Sequence, residues 1–512
     1  MLFGATLWSP ASLVLAAALV LFSFGASARS QDPPPKETDK KATPGKGDFP
    51  PPDDDSKNDA KSDDKAADDK SADDKAKSKD KDDDDSKSTS DDRSALPRGM
   101  SVPPPRPPEF TLNDPKTTDE EWKSWSKGKA RGDFTSRVQA GGRDGASDKV
   151  VQDGIRQQLA AMTLPAMRDP KADRFQISDI VQGLLRSVHT AANKLPAGDQ
   201  RQYRTFMMQE IIKDCRELQL GSNQYYVRLN AAVLLSNLFI EEFNRSAKTD
   251  PEFYTPAFDA LMEILDKEGQ SEAVKLTAIA GLRNCCLYGS PPLAIADNVK
   301  LARKLISELD KPSSNEWYQE RLCDALSCVD QVHDLNGQPF IVQALSKALF
   351  DPARPLCARA AAARALGRAP LDPSIDLNVI AYGIADLSRQ MVEARNDGKK
   401  HVRRWCVAYI FLAFQPKDSG EKSRRAGLLD RVDEPSFSRY KKSVVGAWNI
   451  IKPMIVEELK HRAEPDIEFP QEVLTPIVEW LKTNTPAVLQ ISPNMPPVTT
   501  TQVTKVDSTG SK

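Results

Sequence analysis

The sequence predicts an all-α fold, a right-handed α-α superhelix of about five to six helix pairs, preceded by a long disordered linker. Three observations carry this. A nine-residue phrase recurs with starts at Val227, Val274, Tyr318, Ala358 and Val402, spaced by 47, 44, 40 and 44 residues. A second apolar run precedes each phrase, at 203–218, 256–265, 299–309, 340–349 and 377–392. Residues 29–109 hold almost no large apolar side chain. A fixed period of this size marks stacked helical units, because one helix pair cannot bury its own apolar face.

The chain opens on a secretory signal, 1–28. Residues 11–25 are all apolar or small, and Ala26-Ser27-Ala28 is a small-x-small cleavage motif, so cleavage is expected after Ala28. The stretch is shorter than the roughly 20 residues a membrane span needs. Retention of the signal as a membrane tether is the rival expectation. Residues 29–118 read as a disordered linker. Within 29–109 there are 17 Lys or Arg against 22 Asp or Glu, a net of −5. Asp-Asp-Lys recurs at Asp63, Asp68 and Asp73, a five-residue step that builds no consistent helix face. Such composition cannot bury enough surface to offset chain entropy.

Residues 119–200 carry short helical patterns and are expected to form a helical cap over the first repeat. Trp122 and Trp125, three apart, suit that cap; an aromatic sugar platform is the alternative. Arg131-Gly132-Asp133 is a short match with little weight. The repeats occupy 201–484. Counting each phrase from zero, offsets 0, 4, 5, 8 and 11 are mostly apolar: Val227, Ala231, Ala232, Leu235 and Leu238 in the first copy. At 100° per residue they share a sector roughly 140° wide. A less regular sixth pair is expected at 437–461 and 470–482, with Pro453 removing a backbone donor inside its first helix. Residues 485–512, rich in Thr, Pro and Ser, are expected to be a disordered tail.

The Val-Arg-x-x-Ala-Ala-x-x-Leu phrase resembles the HEAT repeat of the armadillo-like class, and Ala358-Arg-Ala-Ala-Ala-Ala-Arg-Ala-Leu is its nearest copy. The resemblance implies a superhelix that presents extended surfaces to protein or peptide partners. In that family the basic residue at offset 1 often faces an aspartate six residues earlier. Here offset 1 holds Arg228, Lys275, Gln319, Arg359 and Arg403, and only Arg403 has such a residue, Asp397. The repeats are therefore degenerate, and an internal Asp–Arg ladder is not expected.

Charge and chemistry narrow the function. A net charge of −2 argues against general nucleic-acid binding. Residues 389–462 nevertheless carry 17 Lys or Arg against 9 Asp or Glu. Lys399, Lys400, Arg403, Arg404, Arg424, Arg425, Lys441 and Lys442 are the candidate partner-binding residues, a docking surface for an acidic protein or peptide. The chain's own Asp-rich linker is one such candidate partner. Seven cysteines, an odd number, fall mostly at or beside core offsets and read as buried thiols, with one bridge possible and no pairing assignable. No nucleophile, phosphate-loop, dinucleotide or metal-ligand motif occurs, and His333-Asp334 is the nearest approach to an acid–base pair. No cofactor or metal is expected. The expected function is a non-enzymatic exported binding scaffold in the periplasm, cell envelope or extracellular space. An enzyme with a carboxylate site of no recognisable motif is the rival class.

Overall fold

The computed structural model describes residues 116–498 apart from 142–147, 165–166, 168–174, 222–223, 244–248, 312–314, 335, 399–403, 416–426, 462–467 and 494. The expected signal, its expected cleavage point after Ala28, residues 29–115 of the expected linker and residues 499–512 lie outside the described residues. What is described is mostly helical, seventeen α-helices with little strand.

Four helices precede the repeats: α1 (Asp119–Lys127), α2 (Lys129–Ala140), α3 (Lys149–Ala161) and α4 (Phe175–Thr190). Thr118 caps α1 in a reciprocal box with Glu121, satisfying two helix-terminal donors. Residues 116–118, assigned to the linker from composition, belong to the folded unit: Thr117 is buried, and the Lys116 N–H donates to Thr163 Oγ1 at 3.1 Å. Trp122 and Trp125 stack with ring centroids 5.4 Å apart and lean on the core.

The pairs follow in order: α5 (Ala197–Gly221) with α6 (Tyr225–Ser236), α7 (Ala257–Asp266) with α8 (Glu272–Tyr288), α9 (Ile295–Leu309) with α10 (Glu316–Cys328), α11 (Phe340–Phe350) with α12 (Leu356–Arg368), and α13 (Leu377–Asn396) with α14 (Arg404–Phe414). A single turn, α15 (Leu428–Arg431), leads to α16 (Lys441–Lys460) and α17 (Gln471–Thr483). Each recurrent phrase starts within or just before the second helix of a pair. Every side chain at offsets 0, 4, 5, 8 and 11 that is described is at most 3% exposed; Val402 lies outside the described residues. Full burial of one such aliphatic side chain stabilises by about 1.5–3 kcal/mol.

Packing follows chain order. The second helices form one row, α6 on α8, α8 on α10, α10 on α12, α12 on α14 and α14 on α16. The same step extends backwards, with α3 on α5 and α4 on α6. The segment read as a cap is thus packed onto the first pair as later pairs pack onto one another.

α12 and α14 approach closely at Gly367, where an added Cβ would meet the Ala413 carbonyl oxygen. Backbone cannot yield there as a flexible side chain would. Gly367→Ala is expected to cost about 1–3 kcal/mol by overpacking, although alanine favours helix, and a lowered urea midpoint would report it.

Two features depart from the sequence expectations. A small sheet joins the first two pairs: β1 (Phe239–Glu241), β2 (Glu252–Tyr254) and β3 (Gly289–Ser290), antiparallel then parallel. Aromatic residues hold it, the Phe239 and Phe253 rings meeting edge to face at 5.3 Å. Part of the stretch expected to be a disordered tail is also packed, around Ile491 and Met495. Ile491, Ser492 and Met495 are buried, and the Asp376 N–H donates to the Ile491 carbonyl at 2.7 Å. Its few apolar residues find a ready-made surface, which composition cannot register.

Candidate functional site

Lys399, Lys400, Arg403, Arg424 and Arg425 lie outside the described residues, and of Arg404 only the helical backbone at the start of α14 is described. Lys441 and Lys442 open α16 and are both exposed; Lys441 Nζ pairs with Asp433 Oδ1 at 2.7 Å. Helix α16 adds lysines that do not stand out as doublets in the sequence. At 100° per residue Lys452 and Lys460 share the exposed face of α16 with Lys441 and Lys442. Half-buried Val445 and Val456 lie on the same face, with exposed Asn449 between. Glu457, at the edge of this face, is engaged by Lys460 Nζ at 2.9 Å and His461 at 3.0 Å, and these bonds hold its carboxyl below the usual range. The spacing of Lys441, Lys442, Lys452 and Lys460 was the sequence signal available.

Deeper in the array, buried charges tie successive pairs together. Glu308, 2% exposed at the end of α9, receives Lys275 Nζ from α8 at 3.1 Å and the Tyr318 hydroxyl from α10 at 2.8 Å. Lys311 Nζ donates to its other oxygen at 2.5 Å. Burial pushes this carboxyl up, but the bonds from Lys311, Tyr318 and Lys275 prevail and bring it to about 2. In α10, Asp324 lies between Arg283 of α8 at 2.9 Å and Arg364 of α12 at 3.2 Å. Burial again opposes ionisation, and the surrounding arginines overcome it, holding Asp324 well below the carboxylate range. Glu320 accepts the Tyr409 hydroxyl of α14 at 3.0 Å.

These ties partly replace the missing Asp–Arg ladder. Of the offset-1 residues, Lys275 reaches Glu308. Gln319 accepts from Arg354 at 3.1 Å, and Arg359 donates to the Leu349 carbonyl at 2.9 Å and to Gln390 at 2.8 Å. Glu308 and Asp324, held ionised among cations, are poor general acids at neutral pH. Their evident work is to join helices.

His333 does not pair with Asp334. It meets Asp372 of the α12–α13 connection, while Asp334 accepts the Asn336 and Gln338 N–H groups of its own turn at 2.8 and 3.0 Å. Burial raises Asp372, but bonds from Ser374 and His333 leave it lowered. The cysteine pairing left open by sequence is Cys357–Cys406, a buried disulfide joining α12 to α14 with Cα atoms 4.8 Å apart. Glu316 lies near these sulfurs, which are bonded to each other. Cys215, Cys285, Cys323 and Cys328 are buried thiols, and burial pushes Cys323 up to about 12, far from a reactive thiolate. Arg131-Gly132-Asp133 lies within helix α2.

Compared with known protein families, curated proteins and solved structures, the chain matches none of them. Among the described residues no helix is long and apolar enough to cross a membrane.

Proposed function

We propose that this chain is an exported, non-enzymatic scaffold of degenerate HEAT-like repeats, an α-solenoid that binds an acidic protein or peptide in the cell envelope. The observation that carries the reading is the unbroken row of second helices ending on the lysine face of α16. Quasi-one-dimensional stacking of this kind leaves long surfaces for partners. Lys441, Lys442, Lys452 and Lys460, with Val445 and Val456 between them, combine charge with apolar area as a protein-docking face does. The buried Cys357–Cys406 bridge supports an oxidising compartment, in keeping with the signal at 1–28.

The test is affinity capture of envelope proteins on the mature full chain, repeated with Lys442→Glu and Lys452→Glu together. The double variant is expected to weaken acidic-partner binding at least tenfold and to flatten its salt dependence. Capture unaffected by charge reversal, or turnover of a small substrate without any protein partner, would overturn the reading. N-terminal sequencing starting at Arg29 would establish cleavage after Ala28.

A further inference from the structure

A groove open to solvent lies where α1, α2 and α3 meet, ahead of the helix pairs and apart from α16. Its volume is about 600 Å³. Small-ligand clefts run to about 300–1,000 Å³. Its walls include Glu120, Glu121, Ser124 and Trp125 of α1, Lys129 of α2 and Gln157 of α3. The corner between α1 and α2 is Gly128, where an added Cβ would strike the Ser124 carbonyl, so a residue without a side chain lets the two helices turn tightly here.

Trp125 is half-buried and held by two other rings. It stacks on Trp122 at 17°, and it meets buried Phe134 at 6.1 Å and 59°. Trp122 leans on the core and serves the cap, while Trp125 also lines the groove. The polar lining is mixed in character. Among the described residues the side chains of Glu120, Ser124 and Lys129 make no hydrogen bond or ion pair. Gln157 Nε2 donates to Thr117 Oγ1 at 2.9 Å, which fixes its amide at the wall. Glu121 is already engaged by Thr117 and Thr118 in the cap of α1. An anion here would face two glutamates, and a cation would face Lys129. Sugar hydroxyls both donate and accept, so they answer a carboxylate, an ammonium, a hydroxyl and an amide together. The apolar C–H face of a sugar ring suits an indole.

We infer that this groove binds a neutral oligosaccharide, with Trp125 as the platform for a sugar ring and Glu120, Ser124, Lys129 and Gln157 as partners of its hydroxyls. This goes beyond the scaffold reading: the ligand is a glycan rather than an acidic protein, and the groove shares no residue with α16.

The experiment is calorimetric titration of the full chain with cellohexaose, chitohexaose and maltohexaose, and with choline as a cationic control. At least one hexaose is expected to bind saturably, and choline is not. Trp125→Ala should weaken that binding by about tenfold, the loss of one aromatic contact. Glu120→Ala should weaken it by about threefold or more, the loss of a hydrogen bond. Glu120 is exposed, so Glu120→Ala carries the test should Trp125→Ala fail to fold. No saturable binding of any hexaose, binding of choline instead, or unchanged binding in both variants would overturn the inference. Lys442→Glu with Lys452→Glu should bind the sugar as the parent does; a loss there would place the ligand elsewhere and also overturn it. If acidic-partner capture fails while the hexaose still binds, this site stands and the scaffold reading falls.

Discussion

Replacing Glu308 by glutamine is expected to lower the unfolding free energy by about 3–5 kcal/mol, among the largest effects of a single side chain here. The carboxylate is 2% exposed and takes bonds from Lys275, Lys311 and the Tyr318 hydroxyl, so it is the shared counter-charge of the α8, α9 and α10 junction. Removing its charge leaves half-buried Lys275 opposite a neutral amide and deprives buried Tyr318 of a charged acceptor. Both losses fall on groups that water reaches poorly, which is why the cost exceeds that of an exposed pair. The pH dependence gives an independent check. The folded carboxyl titrates near 2, below its ordinary 4.5, so the unfolded chain binds this proton first on acidification. Its contribution, about 3 kcal/mol from that separation, is complete above pH 4.5 and drains away as pH falls toward 2. Urea titrations of both proteins at pH 7, 4.5 and 3 should show the gap closing. A gap independent of pH, or a variant as stable as the parent, would contradict this account.

Reduction of the Cys357–Cys406 bridge should lower stability by about 4 kcal/mol on the chain-entropy account of cross-links. The bonded cysteines are 49 residues apart, so the bridge restricts a long loop of the unfolded chain that runs from α12 through α13 to α14. Both sulfurs lie in the core, at the α12–α14 junction where Gly367 meets Ala413. Cys357→Ala with Cys406→Ala should therefore melt where the reduced parent melts, and a reductant should leave the double variant unmoved. A parent protein whose melting ignores reductant would show that the bridge does not contribute in solution.

These two predictions rest on contacts that could not be read along the chain. The apolar offsets could be read, because a helix brings residues three and four apart onto one side whatever its neighbours are. Val227, Ala231, Ala232, Leu235 and Leu238 are buried for that reason, as are their described counterparts in later copies. Glu308 looked like any polar residue at the end of an amphipathic helix. Its burial depends on Lys275, 33 residues earlier, and on Tyr318 in the next helix. The β3 strand, Gly289–Ser290, has no strand composition and exists because the edge of β2 is there to be paired. The candidate site divides the same way. Lys441 and Lys442 stood out as a doublet, whereas Lys452 and Lys460 joined them only once α16 was seen to be one helix with that face open.

From residue order alone follow the helix pairs and their period, most of the core, and the contrast between the Asp-rich leader and the basic segment. These are properties of spacing and composition, and each is satisfied within a turn or two of helix. Folding in space settled which cysteines meet, which carboxylate answers which cation, and that Ile491 and Met495 are buried. Those outcomes hinge on distances of a few ångströms between segments tens of residues apart. Pairing of charges and thiols decays steeply over such distances, while the hydrophobic pattern that stacks the helices tolerates many neighbours.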